Sequence, residues 1–191
     1  MQFKETPLKG CYVIRTTPFI DRRGAFARLF CERELKQIIG DRKIVNVNFS
    51  RTVKRGSIRG LHFQRAPDAE MKFVRCIKGS VFDVAVDLRE ESQTYMHWHG
   101  VELSAESMDM FAVPEGFAHG FQALEDDVEI IYLVTSFYSP QCEGGLNHAD
   151  PQIGIHWPLP ITDVSKKDLH HPYLHDEPIA LKIDEMIEQR L

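Results

Sequence analysis

Only four cysteines occur in 191 residues (Cys11, Cys31, Cys76 and Cys142), and no two of them form a CxxC pair. That scatter argues against a zinc ribbon or a disulfide framework, and for reduced thiols. No apolar run approaches the roughly 18 residues of a membrane-spanning helix. The opening MQFKETPLKG lacks the apolar stretch of a signal peptide, so the expectation is a cytoplasmic protein without membrane contact. Positive charge is scarce as well. With 23 basic and 28 acidic residues the net charge is −5, which argues against a nucleic-acid binder. Also missing are a Gly-rich phosphate loop, a GxSxG elbow and a Cys/His nucleophile arrangement. What remains, 43% hydrophobic and 27% charged, is ordinary globular composition and excludes disordered, collagen-like and low-complexity classes. At roughly 150 residues per domain, the length predicts one domain with a core that needs no staples.

The chain reads as short strands punctuated by turns. Phe82, Val84, Val86 and Leu88 alternate with Val81, Asp83, Ala85 and Asp87, the period of two of a strand with one polar face. Residues 130–134, a β-branched run around Tyr132, read similarly, as do 73–77 and 100–103. Turn residues recur at Lys78-Gly79, Pro114-Glu115-Gly116, Ser139-Pro140 and Gly144-Gly145. Strands so spaced predict a mainly β fold, whether sandwich, jelly roll or barrel, with helices only at its periphery. One helix is expected over Glu32–Ile39, stopped by Gly40. A second is expected over about 178–190, where Ile179, Ile183, Met186 and Ile187 follow Pro178 at helical spacing and form a packing face.

Charge is unevenly placed. Residues 42–67 hold seven basic side chains (Arg42, Lys43, Arg51, Lys54, Arg55, Arg59, Arg65) and no acidic one. Two readings stand side by side: a solvated loop, or a site for a small polyanion such as a diphosphate, which Arg forks suit. The stretch ends in RGLHFQ at 59–64, with Lys72 following, and a second Gly-flanked histidine, His119, lies in PEGFAHGF. His97 and His99 in HWH would share one strand face, as a metal could use, but only Glu102 stands near to complete a set. Tyr95 and Trp98 beside them fit an ordinary strand surface, so no metal site is assigned. The HHPYLH segment with His170, His171 and His175 reads as solvent-exposed.

At RGLHFQ the sequence closely resembles the nucleotide-sugar epimerases typified by dTDP-4-dehydrorhamnose 3,5-epimerase. The supporting segments follow in the family's order: DRRGAF at 21–26, SIRGLHFQ at 57–64, KFVRCIKGSVFDVAVDLR at 72–89, ELSAES at 102–107 and VPEGFAHGFQAL at 113–124. FYSPQCEGG at 137–145, DPQIGIHWPLP at 150–160 and SKKD at 165–168 extend the match over roughly residues 8–172. The resemblance implies a cupin-like jelly-roll β-sandwich with short peripheral helices, its core at about 8–160. It also implies a homodimer with part of each site supplied by the partner subunit, and chemistry without metal or organic cofactor. The implied substrate is a nucleotide-diphosphate keto-deoxysugar. In it, carbons 3 and 5 flank the carbonyl at carbon 4 and invert through an enolate.

Such chemistry needs a base, a group that stabilises the enolate oxygen, and an acid on the opposite face. By motif match His62 is the base, Asp168 its partner, Lys72 the cation near the keto oxygen, and Tyr132 the proton donor. His119 lines the sugar site. Arg59 and Arg23 match diphosphate or nucleotide contacts, Arg23 coming from the partner subunit. Glu143 and Lys167 match further substrate contacts, and Phe137 falls where an aromatic ring stacks on the base. Asn46 and Asn48 sit near the family's base-contacting segment, although the loop at 50–59 is one residue longer than the common pattern.

One departure stands out. Where the family commonly carries Glu, this chain has Arg28. A carboxylate accepts the thymine ring N–H, whereas a guanidinium only donates and suits acceptor edges such as those of cytosine. The other placement for Arg28 is in solvent or on a phosphate. The nearest rival functions are a single-centre epimerase or a 3,4-ketoisomerase acting on a dTDP-, CDP- or GDP-linked sugar. A metal-dependent cupin enzyme is more remote, because position 64 is Gln rather than a paired His. A non-catalytic binding module is remote too, since His62, Lys72, Tyr132 and Asp168 are all present.

Overall fold

The computed structural model describes residues 1–182, and it is built of strands. In chain order these are β1 (Gln2–Glu5), β2 (Tyr12–Arg15), β3 (Phe19–Asp21), β4 (Gly24–Phe26), α1 (Glu32–Ile39), β5 (Asn46–Thr52), β6 (Ser57–Gln64) and β7 (Lys72–Lys78). Then follow β8 (Ser80–Asp87), β9 (Trp98–Ser104), β10 (Met110–Val113), β11 (Phe117–Ala123), β12 (Val128–Val134), β13 (Glu143–Gly145), β14 (Asp163–Val164) and α2 (Lys166–Leu169). One sheet runs β1-β2-β10-β7-β12-β5 and the other β13-β6-β11-β8-β9, with β14 added in parallel to β6. Strands β3 and β4 form a separate hairpin. This is the expected jelly-roll sandwich.

Alternation along the strands fills the space between the sheets. Val74, Cys76, Phe111, Val113 and Ile130 of the first sheet meet Val81, Ala85, Leu103, Phe117 and Phe121 of the second. The outer faces are covered as well. Helix α1 lays Leu35 and Ile39 over Ile14, Phe73 and Met110. The C-terminal segment lays Leu146, Ile153, Leu174 and Ile179 over Leu61, Val84, Val86 and Ala118. Helix α1 has the predicted bounds, and Gly40 ends it at φ +61 with its N–H on the Lys36 carbonyl.

Three sequence expectations need correction, and burial explains each. Strand β8 has no solvent face: Asp83 and Asp87 are fully buried, because both faces of its sheet are covered. Buried carboxylates need partners, and Asp87 accepts hydrogen bonds from Arg89, Ser92 and Thr94. Gly144-Gly145 is a strand rather than a turn, since a Cβ at these positions would lie 2.5 Å from the Phe63 ring and 2.2 Å from the His171 ring. The second helix does not begin at 178. Ile179 and Leu181 are buried as a packing face should be, but in an extended segment with Leu181 N–H on the Leu88 carbonyl (2.8 Å). The rest of that helix lies outside the described residues.

Two internal features position the site. Arg75 is fully buried in β7 and donates to Thr16 Oγ1 (3.3 Å) and the Leu29 carbonyl (3.1 Å), anchoring both ends of the segment that carries the β3–β4 hairpin. Burial lowers its pKa to about 10, so it stays charged at neutral pH. Gly60 of β6 and Gly120 of β11 let two strands touch: a Cβ on Gly60 would lie 2.7 Å from the Gly120 Cα and the His119 carbonyl, at φ +110. Gly60→Ala should therefore destabilise the fold by about 2–4 kcal/mol, the combined scale of backbone strain and forced contact. Urea unfolding measures this, and a loss near zero would mean the strands part without cost.

Candidate active site

A cleft of about 510 Å³ enters the sandwich between the sheets. Strands β5, β7 and β12 of the first sheet contribute one wall, β6 and β11 of the second the other, and the 163–168 segment closes one side. Two chain features build its chemistry. Antiparallel pairing sets His119 of β11 directly opposite His62 of β6. Ser165, N-cap of the short helix α2, accepts the Asp168 N–H (3.0 Å) and so fixes the turn that points Asp168 inward.

His62 and Asp168 form a tight pair, Nε2 to Oδ1 at 2.7 Å. Asp168 is buried, and its second oxygen accepts the Gly60 N–H at 3.2 Å. Burial pushes this carboxyl up, but the hydrogen bond and charge of His62, the Gly60 N–H and the Ser165 hydroxyl outweigh it and bring the pKa down to about 2. Asp168 is thus an ionised acceptor, His62 donates through Nε2–H, and Nδ1 is left with the basic lone pair.

The opposite wall carries a cation and a phenol. Lys72 Nζ lies 3.1 Å from Glu70 Oε1, with both side chains almost withdrawn from solvent, and 3.4 Å from the His62 carbonyl. Tyr132 of β12 is half-buried. Burial first, and then the negative charge of Glu70, raise its phenol pKa, so it holds its proton throughout the neutral range. Beside His62, His119 Nε2 sits 2.7 Å from Oδ1 of the fully buried Asp83. A second His–carboxylate pair therefore stands in the same cleft.

Towards the mouth, basic residues gather: Lys54, Arg59 and Lys167 line the cleft with Lys72. Arg59 is held across β5 by Thr52 Oγ1 (3.0 Å) and the Arg51 carbonyl (3.0 Å). The basic stretch at 42–67 is thereby split between its two readings. Lys54 and Arg59 face the cleft, whereas Arg51 pairs with Asp127, Arg42 pairs with Glu115 (2.6 Å) and Arg55 caps the Leu124 carbonyl (2.8 Å). Base, cation and phenol around one cavity, with cations at its mouth, suit proton transfer on an anionic substrate.

Comparison with known proteins agrees with this geometry. The family model described as dTDP-4-dehydrorhamnose 3,5-epimerase matches residues 5–176. The dTDP-4-dehydrorhamnose 3,5-epimerase of Methanothermobacter thermautotrophicus is 43% identical over 94% of this chain and 98% of its own. The chain belongs to the dTDP-4-dehydrorhamnose 3,5-epimerase family. Among solved structures, the Mycobacterium tuberculosis rmlC epimerase aligns over 97% of this epimerase and 96% of its own chain, with a TM-score of 0.91 at 33% identity. The Legionella pneumophila dTDP-6-deoxy-D-glucose-3,5-epimerase, solved in complex with dTDP-4-keto-L-rhamnose, gives a TM-score of 0.87 at 34% identity, covering 94% and 97%.

Of the residues singled out from sequence, the epimerase brings His62, Asp168, Lys72, Tyr132, His119, Arg59 and Lys167 to the cleft. Glu143 stands one contact away, 2.6 Å from Lys167 Nζ. Asn48 pairs across from Tyr132 on β5 but does not line the cleft. Phe137 is exposed nearby, its carbonyl accepting from Gln64 (3.1 Å). Arg23, in the β3–β4 hairpin, pairs with Asp21 (2.6 Å), and Arg28 pairs with Glu34 (2.8 Å) on the surface. Neither reaches the cleft.

Sequence reading missed Asp83, Glu70 and His171. Asp83 could have been noticed as an acid in an apolar alternation. His171 is a correction: His170 and His175 are exposed as expected, but His171 packs inside, its ring 5.4 Å from that of His62 and edge-on to it. Burial, and then the nearby His62, lower its pKa. His97, exposed, lies just before β9, and His99, partly buried, lies within it. Neither joins a metal-capable group among the described residues.

Proposed function

We propose that this enzyme inverts carbons flanking the ketone of a nucleotide-linked 4-keto-6-deoxyhexose, dTDP-4-keto-6-deoxyglucose becoming dTDP-4-keto-rhamnose. One observation carries the reading: a carboxylate-paired imidazole on one sheet faces a protonated phenol on the other, with a buried ammonium beside them. His62 Nδ1 removes the proton next to the ketone, and Asp168 stabilises the imidazolium that forms. Lys72 offsets the charge growing on the enolate oxygen, which is greater in the transition state than in the neutral ketone. Tyr132 returns a proton from the far wall, so the centre inverts. The Lys54, Arg59 and Lys167 cluster holds the diphosphate.

Tyr132→Phe separates this from a one-base mechanism. Turnover should fall by roughly 10²-fold or more, while loss of the substrate's carbon-bound protons to solvent falls much less. Equal loss of both would remove Tyr132 as donor.

The working unit is a homodimer. The β3–β4 hairpin leaves Phe19, Ile20 and Phe26 at 68%, 72% and 76% exposure, and Val47 and Phe49 of edge strand β5 are exposed as well. Bare apolar side chains on an unpaired edge favour association. The same hairpin carries Arg23, which a partner subunit would deliver to the substrate. Sedimentation should give twice the 22.0 kDa chain mass, and Phe26→Asp should shift it to the monomer; a wild-type monomer would overturn the dimer. Four free thiols fit a reducing compartment, the cytoplasm.

A further inference from the structure

We infer that His62, Asp168 and His171 form a reversible inhibitory site for a divalent cation of the Zn2+ type, which shuts the enzyme down by occupying the back of its catalytic pair. One ligand atom from each of the three lies within 4.8 Å of the others. His62 Nε2 and His171 Nε2 stand 2.7 Å and 3.6 Å from the same oxygen, Asp168 Oδ1. Ligands around tetrahedral zinc at about 2.0–2.1 Å are roughly 3.3 Å apart, so the two contacts to Asp168 need shifts of about half an ångström or less, and the two imidazole nitrogens, within 4.8 Å of each other, must draw together by up to about 1.5 Å. Two imidazoles and a carboxylate are a donor set zinc favours, with a fourth position left for water.

His171 carries the argument, because the reaction gives it no task. Its Nε2 is buried without a hydrogen-bond partner and faces Asp168. Such a nitrogen is costly to leave unsatisfied. Its place is nonetheless firmly built. Gly145 makes room for the ring, since a Cβ there would come within 2.2 Å of it. Asn147 Nδ2 holds the His171 carbonyl (3.3 Å), and Asp150 Oδ2 accepts the Leu174 N–H (2.6 Å). His62 remains partly exposed to the cleft, which gives an ion a way in.

The inhibition follows from the tautomer. A neutral imidazole carries one ring proton, and with Asp168 as acceptor that proton sits on His62 Nε2. A cation bound at Nε2 moves the proton to Nδ1, the nitrogen that must be bare to accept the substrate's proton. No proton is lost or gained overall, yet the base is gone. This consequence rests on the proposed role of His62; the binding itself does not.

The test uses metal-stripped enzyme titrated with Co2+ and followed by its visible absorption, and with Zn2+ by calorimetry. One equivalent should bind per chain, with the intense bands of four-coordinate cobalt. His171→Ala and His171→Gln, checked by circular dichroism, should each weaken Zn2+ binding at least about 100-fold, because loss of even a supporting group costs roughly 10–100-fold. Zn2+ should inhibit the wild type over the range in which it binds, reversibly with chelator, and inhibit each variant only at correspondingly higher concentration. Absence of binding, or affinity unchanged in folded His171 variants, overturns the site. Binding without inhibition supports the metal site and overturns His62 as base instead.

Discussion

Asn in place of His62 should lower turnover by roughly 10²–10⁴-fold, the usual contribution of a positioned general base. Asn is too short to reach Asp168 from where the ring's Nε2 makes its 2.7 Å contact, but the carboxylate keeps the Gly60 N–H at 3.2 Å, and circular dichroism must show that the variant is folded. The basic lone pair of the imidazole is lost. Affinity for the nucleotide diphosphate should change little, because its cations, Lys54, Arg59 and Lys167, lie elsewhere on the wall. Steady-state kinetics with a nucleotide-binding titration reads both quantities. Unchanged turnover would remove His62 as base, and a pure affinity loss would make it a docking residue.

Lys72→Met should cost turnover by about 10²–10³-fold, the scale seen when one stabilising donor is taken from a growing oxyanion. The ammonium sits almost out of solvent against Glu70 at 3.1 Å, where water screens it little and its field on the substrate oxygen is strong. The loss should fall on kcat rather than KM, since the neutral ketone gains less from the charge than the enolate does. Removing Lys72 also leaves Glu70 without its cation, so some stability is lost and a thermal melt must accompany the kinetics. Lys72→Arg keeps the charge and should recover part of the rate. A rise in KM at constant kcat would assign Lys72 to docking.

The strands and helix α1 were legible because alternation and the Gly40 stop are local signals. His62, Lys72, Tyr132 and Asp168 were legible through motif resemblance, and the fold brings all four to one cleft. What stayed hidden depends on pairing between distant segments. Asp83 read as the polar face of β8 because nothing local reveals that both faces of its sheet are covered. His171 read as exposed because its burial comes from Gly145, 26 positions away in sequence, vacating space for its ring. The 178–182 segment has helical spacing, but pairing with the backbone at Leu88 and Arg89 holds it extended. Arg23 and Arg28 lie outside the cleft, each engaged locally with Asp21 and Glu34.

The most direct measurement is proton exchange. Incubate the wild-type enzyme with dTDP-4-keto-6-deoxyglucose in deuterated water and read mass and proton NMR. Deuterium at carbons 3 and 5, with both centres inverted, is the expected result. Deuterium at carbon 3 alone would replace double inversion with a single-centre epimerase or a ketoisomerase, which the carbonyl position separates. Substrate recovered without deuterium, from the dTDP, CDP and GDP sugars alike, would contradict enolisation at this site.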